Sequence, residues 1–304
     1  MTMTPTWRGV LRENEPLARH NSWHVGGKAR RCYLPADISD LQIFLQNQPK
    51  DEEFIWLGLG SNVLIRDGGV AGTVIITQNR LKQLQRLTPH RIRAEAGIPC
   101  AKLAKYCANL GLAEAAFFAG IPGTVGGALA MNAGAFGGET WRYVEAVETI
   151  DRNGKINVRY PHEFQVDYRH VLRPNGEWFV AGHFQFPLGD VEQVQRAIRE
   201  LLRQRNTTQP IGEFNCGSVF RNPPGNHAAR LIESCGLKGW RVGGAWVSEK
   251  HANFIINGGE ATAANIENLI YFVQQKVKEQ HGIELKPEVH ILGENEISND
   301  EVRK

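Results

Sequence analysis

From Ala115 to Gly138 the chain runs 24 residues without a charged side chain, and seven glycines and Pro122 interrupt that run. The length and apolarity match a bilayer-spanning segment. Yet Gly120, Pro122, Gly123, Gly126, Gly127, Gly134, Gly137 and Gly138 would break a membrane helix repeatedly. The segment therefore reads as buried, irregular backbone inside a folded protein, where nothing charged competes for its N–H donors. A chain of 304 residues is long enough to bury it, in one large or two ordinary domains. Hydrophobic residues at 42% and charged residues at 22% are globular proportions, which argue against disordered, collagenous and fibrous classes. A net charge of +3 gives no average pull toward nucleic acid or an acidic membrane surface. The five cysteines are odd in number and never spaced C-x-x-C, so neither a disulfide framework nor a zinc ribbon is indicated, and a reducing cytoplasm fits. The opening MTMTPTWRGVLRENEP has no apolar core of a secretory signal.

Local patterns mix helix and strand. Asp37 can cap a helix with Leu41, Phe44 and Leu45 on one face, followed by a strand at Phe54–Leu57. Pro99 opens a second helix through Leu103, Cys107 and Leu110 that stops at Gly111, between strands Val74–Ile76 and Arg91–Ala96. Asn153-Gly154 signals a hairpin between 147–150 and 156–158. Asp190 with Gln193 resembles a capping box for a helix ending near Arg205, and this helix suggests a domain boundary. A strand at Ala252–Ile256 and a helix carrying Ile266, Leu269, Ile270, Val273 and Val277 up to Gly282 follow. The expected organisation is α+β: an N-terminal extension at 1–20, a region at 21–190, a connecting helix at 191–206, a smaller domain at 207–293 and a mobile tail at 294–304.

Gly58-Leu59-Gly60-Ser61-Asn62 follows a predicted strand, and such a loop can turn backbone N–H groups onto an anion. It lacks the third glycine of a dinucleotide fingerprint, with Val63 in that place, and a plain tight turn explains it equally simply. Together with Gly120-Ile121-Pro122-Gly123-Thr124-Val125-Gly126-Gly127 it can clasp an extended pyrophosphate, although the same glycines suit a close crossing of two backbones.

These segments belong to an ordered set: Asn21-Ser22-Trp23, Val25-Gly26-Gly27, the two glycine loops, Met131-Asn132-Ala133-Gly134-Ala135, Tyr168-Arg169, Gly217-Ser218-Val219-Phe220, and Val247-Ser248-Glu249-Lys250-His251-Ala252-Asn253-Phe254. The set spans residues 20–293 and closely resembles the UDP-N-acetylenolpyruvoylglucosamine reductase family, flavoenzymes of peptidoglycan precursor synthesis. The resemblance implies a vanillyl-alcohol-oxidase-type FAD-binding region of two α+β subdomains, then a smaller α+β substrate domain. It implies noncovalent FAD held by Gly58, Gly60, Ser61, Asn62, Gly123, Thr124 and Gly126, with NADPH as electron donor. Catalysis would fall to Arg169, Ser218 and Glu288, the last in Leu285-Lys286-Pro287-Glu288-Val289, and substrate contacts to Tyr168, Asn222, Arg230 and Lys250. A cytoplasmic monomer without nucleic-acid, membrane or metal partners is expected. His24, Arg221 and Asn226-His227 depart from the family pattern, and the short spacing from Arg169 to Ser218 suggests the branch lacking an inserted loop over the substrate.

The chemistry suits those residues. Reducing an enol ether conjugated to a carboxylate needs a hydride, a proton and stabilisation of the charge between them, and a flavin supplies only the hydride. Arg169 can pair bidentately with the carboxylate, Ser218 can deliver the proton, and Glu288 can bond or orient the same group. Taken singly, the three also read as a surface charge, a turn residue and a solvated carboxylate. Another flavin oxidoreductase, or a nucleic-acid binder using the basic run Arg80, Lys82, Arg86, Arg91 and Arg93, are the competing readings.

Overall fold

The computed structural model describes residues 7–296, so residues 1–6 of the expected extension and 297–304 of the expected tail lie outside the described residues. The chain divides into two compact units, each discontinuous in sequence. One comprises the chain up to Arg12, Cys32–Leu59 and Val74–Arg205; the other comprises Glu13–Arg31, Gly60–Thr73 and the chain from Asn206 on. A contiguous 21–190 region therefore does not coincide with either unit: residues 21–31 and 60–73 group with the C-terminal residues.

The first unit is built on a five-stranded antiparallel sheet in the order Ile156–Arg159, Val144–Asp151, Glu177–Gln185, Arg91–Glu95 and Leu84–Thr88. Gly154, at φ 76°, makes the tight turn that the Asn-Gly pair predicts. Alternation along the strands separates the faces. Ile92, Ala94, Val147 and Phe179 face one core with Leu103 and Cys107 of the helix Cys100–Asn109 and with Val125 and Leu129 of the helix Val125–Met131. Ala96, Ile150 and Val180 belong to a second core with Tyr33, Leu41 and Phe44. Asp37 caps the helix Ile38–Gln46 through the Asp40 amide at 2.8 Å.

The segment expected to be irregular is more regular than its glycines suggest. Ala115–Gly120 is a 3-10 helix and Val125–Met131 an α-helix. Glycine costs helix propensity, but here Gly126 lets the helix press on Ala96, where a Cβ would come within 2.8 Å of the Ala96 Cβ. The helix after Asp190 runs Val191–Thr208, past the expected stop, and Gln193 donates to Asp190 Oδ1 at 2.8 Å. The strand expected at 252–256 is confined to Ile255–Asn257.

In the second unit, the helix Ala263–His281 and the helix Ala228–Ser234 share a core with the sheet Arg241–Val242, Ala245–Val247 and Ile255–Asn257. The early residues Trp23, Val25 and Leu64 complete that core. Trp23 is fully buried, which contributes roughly 1.5–3 kcal/mol or more. Its indole donates to Ile255 O at 2.8 Å, and Asn257 Nδ2 returns a bond to Trp23 O at 2.7 Å. Val63–Ile65 pairs in parallel with His290–Leu292. Asp67 caps the long helix through the Ala263 and Ala264 amides, and Arg66 forks onto Glu267 at 2.8 and 3.0 Å. These long-range bonds explain why residues 60–73 leave their sequence neighbours. Among the described residues no helix is long and apolar enough to cross a membrane.

On the polar face of the first unit's sheet, Arg91 pairs with Glu145, while Arg93 and His183 both reach Glu148, at 2.6 and 2.7 Å. Burial alone would raise the Glu148 carboxyl, but the bonds and charges of Arg93 and His183 outweigh it and hold it down to about 2. Because the folded carboxyl titrates below its unfolded value of about 4.3, its stabilisation is full above that pH and is lost as pH falls toward 2. Glu148→Gln should therefore be less stable than wild type at pH 7, by an order of 2 kcal/mol, with the gap closing as pH falls through that window. Urea titrations of both proteins from pH 7 to pH 2 measure the gap, and a pH-independent difference would remove the ion cluster from the account.

Candidate functional site

The first unit contains a cavity of about 90 Å³ lined by, among others, Trp56, Gly58, Gly126, Gly127, Arg173 and Trp178. It brings the two glycine loops together. A Cβ at Gly58 would collide with Thr124 Oγ1, so glycine there is a matter of close approach. At Gly127 a Cβ would meet only Thr124 Oγ1, at 3.9 Å, so the chain leaves that space to something else. Two buried polar atoms beside it, Thr124 Oγ1 and Trp56 Nε1, have no partner among the described residues. Leaving each unmet costs about 1–3 kcal/mol, which a polar ligand would recover.

Several amides expected to form an anion nest are used within the chain. Gly123 donates to Ile121 O at 2.9 Å, Val125 to Ile98 O and Gly126 to Ala96 O, both at 2.8 Å. Gly123 is also not among the residues with positive φ. Side-chain donors thus weigh more here than the glycine pattern predicts.

Arg169 sits at the tip of a hairpin whose strands, Gln165–Asp167 and His170–Leu172, pair Asp167 with His170. Its φ is 56°, a conformation uncommon outside glycine and often held at functional positions. Arg169 Nη2 donates to Gly134 O at 2.8 Å, and its guanidinium lies 5.5 Å from the ring centre of the exposed Tyr168. Asn132, at φ 42° where the helix Val125–Met131 ends, donates to Asp167 O at 3.3 Å and accepts from the Trp141 amide at 3.1 Å. Met131–Ala135 is thus the mount of the hairpin. Asparagine at a helix C-terminus was the available signal for it.

In the second unit Ser218 follows Gly217, held at φ 73°. The segment carrying Ser218 is clamped by the buried Asn253, which accepts from the Phe220 amide at 3.0 Å and donates to Phe220 O at 2.8 Å. Glu288 lies on the neighbouring segment: its amide donates to Val219 O at 2.7 Å, and the Arg221 amide donates to Lys286 O at 2.9 Å. Ser218 and Glu288 are therefore brought onto adjoining backbone. Asn62, matched to the cofactor loop, donates its side chain to Glu288 O at 3.1 Å. Gly60 is required by its φ of 69° and by the His20 carbonyl against it, beside the buried, unpartnered Asn21 Oδ1. Ser61 is half-buried. The remaining expected substrate contacts are spread over this unit. Asn222 Oδ1 accepts from the Ala228 amide, Lys250 Nζ donates to Asn206 O at 2.6 Å, and Arg230 is exposed on the helix Ala228–Ser234. Burial pushes the Cys216 thiol up to about 12, which keeps it protonated behind Ser218. Among the described residues no cluster of His, Cys, Asp or Glu could hold a metal ion.

Two family models match the chain: an FAD binding domain over residues 30–158, and the C-terminal domain of UDP-N-acetylenolpyruvoylglucosamine reductase over residues 209–292. Proteins named UDP-N-acetylenolpyruvoylglucosamine reductase from Coxiella burnetii and Alkalilimnicola ehrlichii are 58% and 59% identical, each match covering 94% of this chain and 96% of the relative. The crystal structure of the UDP-N-acetylenolpyruvylglucosamine reductase from Thermus caldophilus superposes with a TM-score of 0.78 at 31% identity, covering 94% of this chain and 99% of that one. On these matches, and with an FAD binding domain over the cavity-bearing segments, the chain is an FAD-dependent oxidoreductase and belongs to the UDP-N-acetylenolpyruvoylglucosamine reductase family.

Proposed function

We propose that this protein uses NADPH to reduce the enolpyruvyl group of UDP-N-acetylenolpyruvoylglucosamine, giving UDP-N-acetylmuramate for peptidoglycan precursor synthesis. The observation that carries the reading is the placement of Ser218 and Glu288 on adjoining segments, joined by the 2.7 Å bond from the Glu288 amide to Val219 O, in a chain 58% identical to a named reductase. The cavity beside Gly58 and Gly127, with the unmet Thr124 and Trp56 donors, fits a polar dinucleotide. Gly58, Gly60, Ser61, Asn62, Gly123, Thr124 and Gly126 would hold FAD without a covalent bond. FAD, when bound, supplies the hydride.

The chain's own residues do the rest. Arg169, fixed on its hairpin by Gly134 and Asn132, pairs with the substrate carboxylate as charge grows on it. Ser218 gives its hydroxyl proton to the carbon next to that carboxylate and is reprotonated through its surroundings. Glu288 hydrogen-bonds the same group or orients its neighbours. Tyr168, Asn222, Arg230 and Lys250 contact the remainder of the substrate. The protein works as a monomer in the cytoplasm, a setting that suits five free cysteines.

Purified protein should be yellow, with about one FAD per chain that acid precipitation releases; colour remaining in the pellet would instead reveal a covalent link. Ser218→Ala should leave flavin reduction by NADPH nearly intact while slowing reoxidation by the enolpyruvyl substrate about 10² to 10⁴-fold, because only the second half-reaction needs the proton. Ser218→Cys should retain more of the second step. Anaerobic stopped-flow absorbance of each half-reaction separates them, and equal slowing of both, or of neither, would take the proton-donor role from Ser218.

A further inference from the structure

Arg173 stands apart from the other arginines of the first unit. Arg91, Arg93, Arg159 and Arg203 each pair with a glutamate, whereas Arg173 pairs with no carboxylate among the described residues, although it lines the cavity beside Gly58 and Gly127. It follows the hairpin strand His170–Leu172 and is partly exposed. The other side chains of this cavity are apolar or aromatic, apart from Thr77, whose hydroxyl is already bonded to Leu57 O at 3.1 Å. Trp56 and Trp178 stack at 5.2 Å on its wall. The unmet polar atoms at its edge, Thr124 Oγ1 and Trp56 Nε1, can both donate, so the missing occupant carries acceptors. A cation without a counterion, two unmet donors, glycine backbone that leaves open space and an aromatic wall together specify a ligand with an anionic group joined to a flat ring.

We propose that this cavity takes the adenosine diphosphate half of the cofactor and that Arg173 is the countercharge of its diphosphate, an assignment that rests on FAD being the cofactor. Burial lowers the Arg173 pKa, the direction expected of a charge for which the chain provides no partner. A guanidinium forks onto diphosphate oxygens as it does onto a carboxylate, and Lys offers only a point charge.

The test uses the full chain stripped of flavin, titrated with FAD and with ADP at several salt concentrations. Wild type should bind FAD, and ADP should compete for the site. Arg173→Met should weaken both ligands about 10- to 100-fold and flatten the salt dependence of ADP binding, with the melting temperature of the apoprotein unchanged. Arg173→Lys should recover part of the affinity and the salt dependence, which a purely structural role would not restore. Wild-type ADP affinity in Arg173→Met overturns the countercharge, and FAD binding that ADP cannot displace overturns the cavity assignment while leaving the cofactor reading standing. Failure of wild type to bind FAD at all would overturn both.

Discussion

The close approach of Gly58 to Thr124, together with that of Gly126 to Ala96, is the constraint on which the first unit's site depends. Neither contact leaves room for a Cβ, so the end of the strand Phe54–Leu57 and the start of the helix Val125–Met131 meet only because both carry glycine. Their meeting creates the cavity and buries the Thr124 hydroxyl unbonded at its edge. Because the Val125 and Gly126 amides are spent on Ile98 and Ala96, that hydroxyl, the Trp56 indole and Arg173 are what the chain offers a ligand there. Gly127, on the same helix, is the exception: it has space, and the space faces the cavity.

The second unit is held by bonds between residues far apart in sequence. Trp23 to Ile255, Arg66 to Glu267 and the parallel pairing of Val63–Ile65 with His290–Leu292 tie early residues to the C-terminal core. The same scaffold sets the chemistry. Asn253 fixes the segment of Ser218, Asn62 fixes the segment of Glu288, and the bond between the Val219 carbonyl and the Glu288 amide aligns the two. Two buried or half-buried asparagines therefore act through backbone position, whether or not either touches a ligand.

What was legible in the sequence was what local rules govern. Asp37 capping its helix, the Asn153-Gly154 turn, and Gly282 closing Ala263–His281 in the left-handed conformation each depend on a few neighbouring residues. The helix Val125–Met131 was hidden because its glycines contradict helix propensity and answer to packing on Ala96 instead. The discontinuous units were hidden for a different reason: the grouping of 60–73 with the C-terminal residues rests on Asp67, Arg66 and Val63–Ile65 finding partners about two hundred residues away. The site residues Arg169, Ser218 and Glu288 carried no local signal of their own and were marked only by the ordered motifs around them. Arg173 lay outside those motifs, and only the cavity singles it out.

The claim at the centre is that the space beside Gly127 belongs to the cofactor, and a single substitution separates it from folding. Gly127→Leu places a side chain where only Thr124 Oγ1 stands within 4 Å, and leucine favours the helix over glycine by roughly 0.5–1 kcal/mol. Titrating FAD into the flavin-free variant, alongside its thermal unfolding, should show an apoprotein as stable as wild type or more so that no longer binds FAD. FAD binding at wild-type affinity would contradict the account, because the cavity would then be empty space rather than the cofactor's seat.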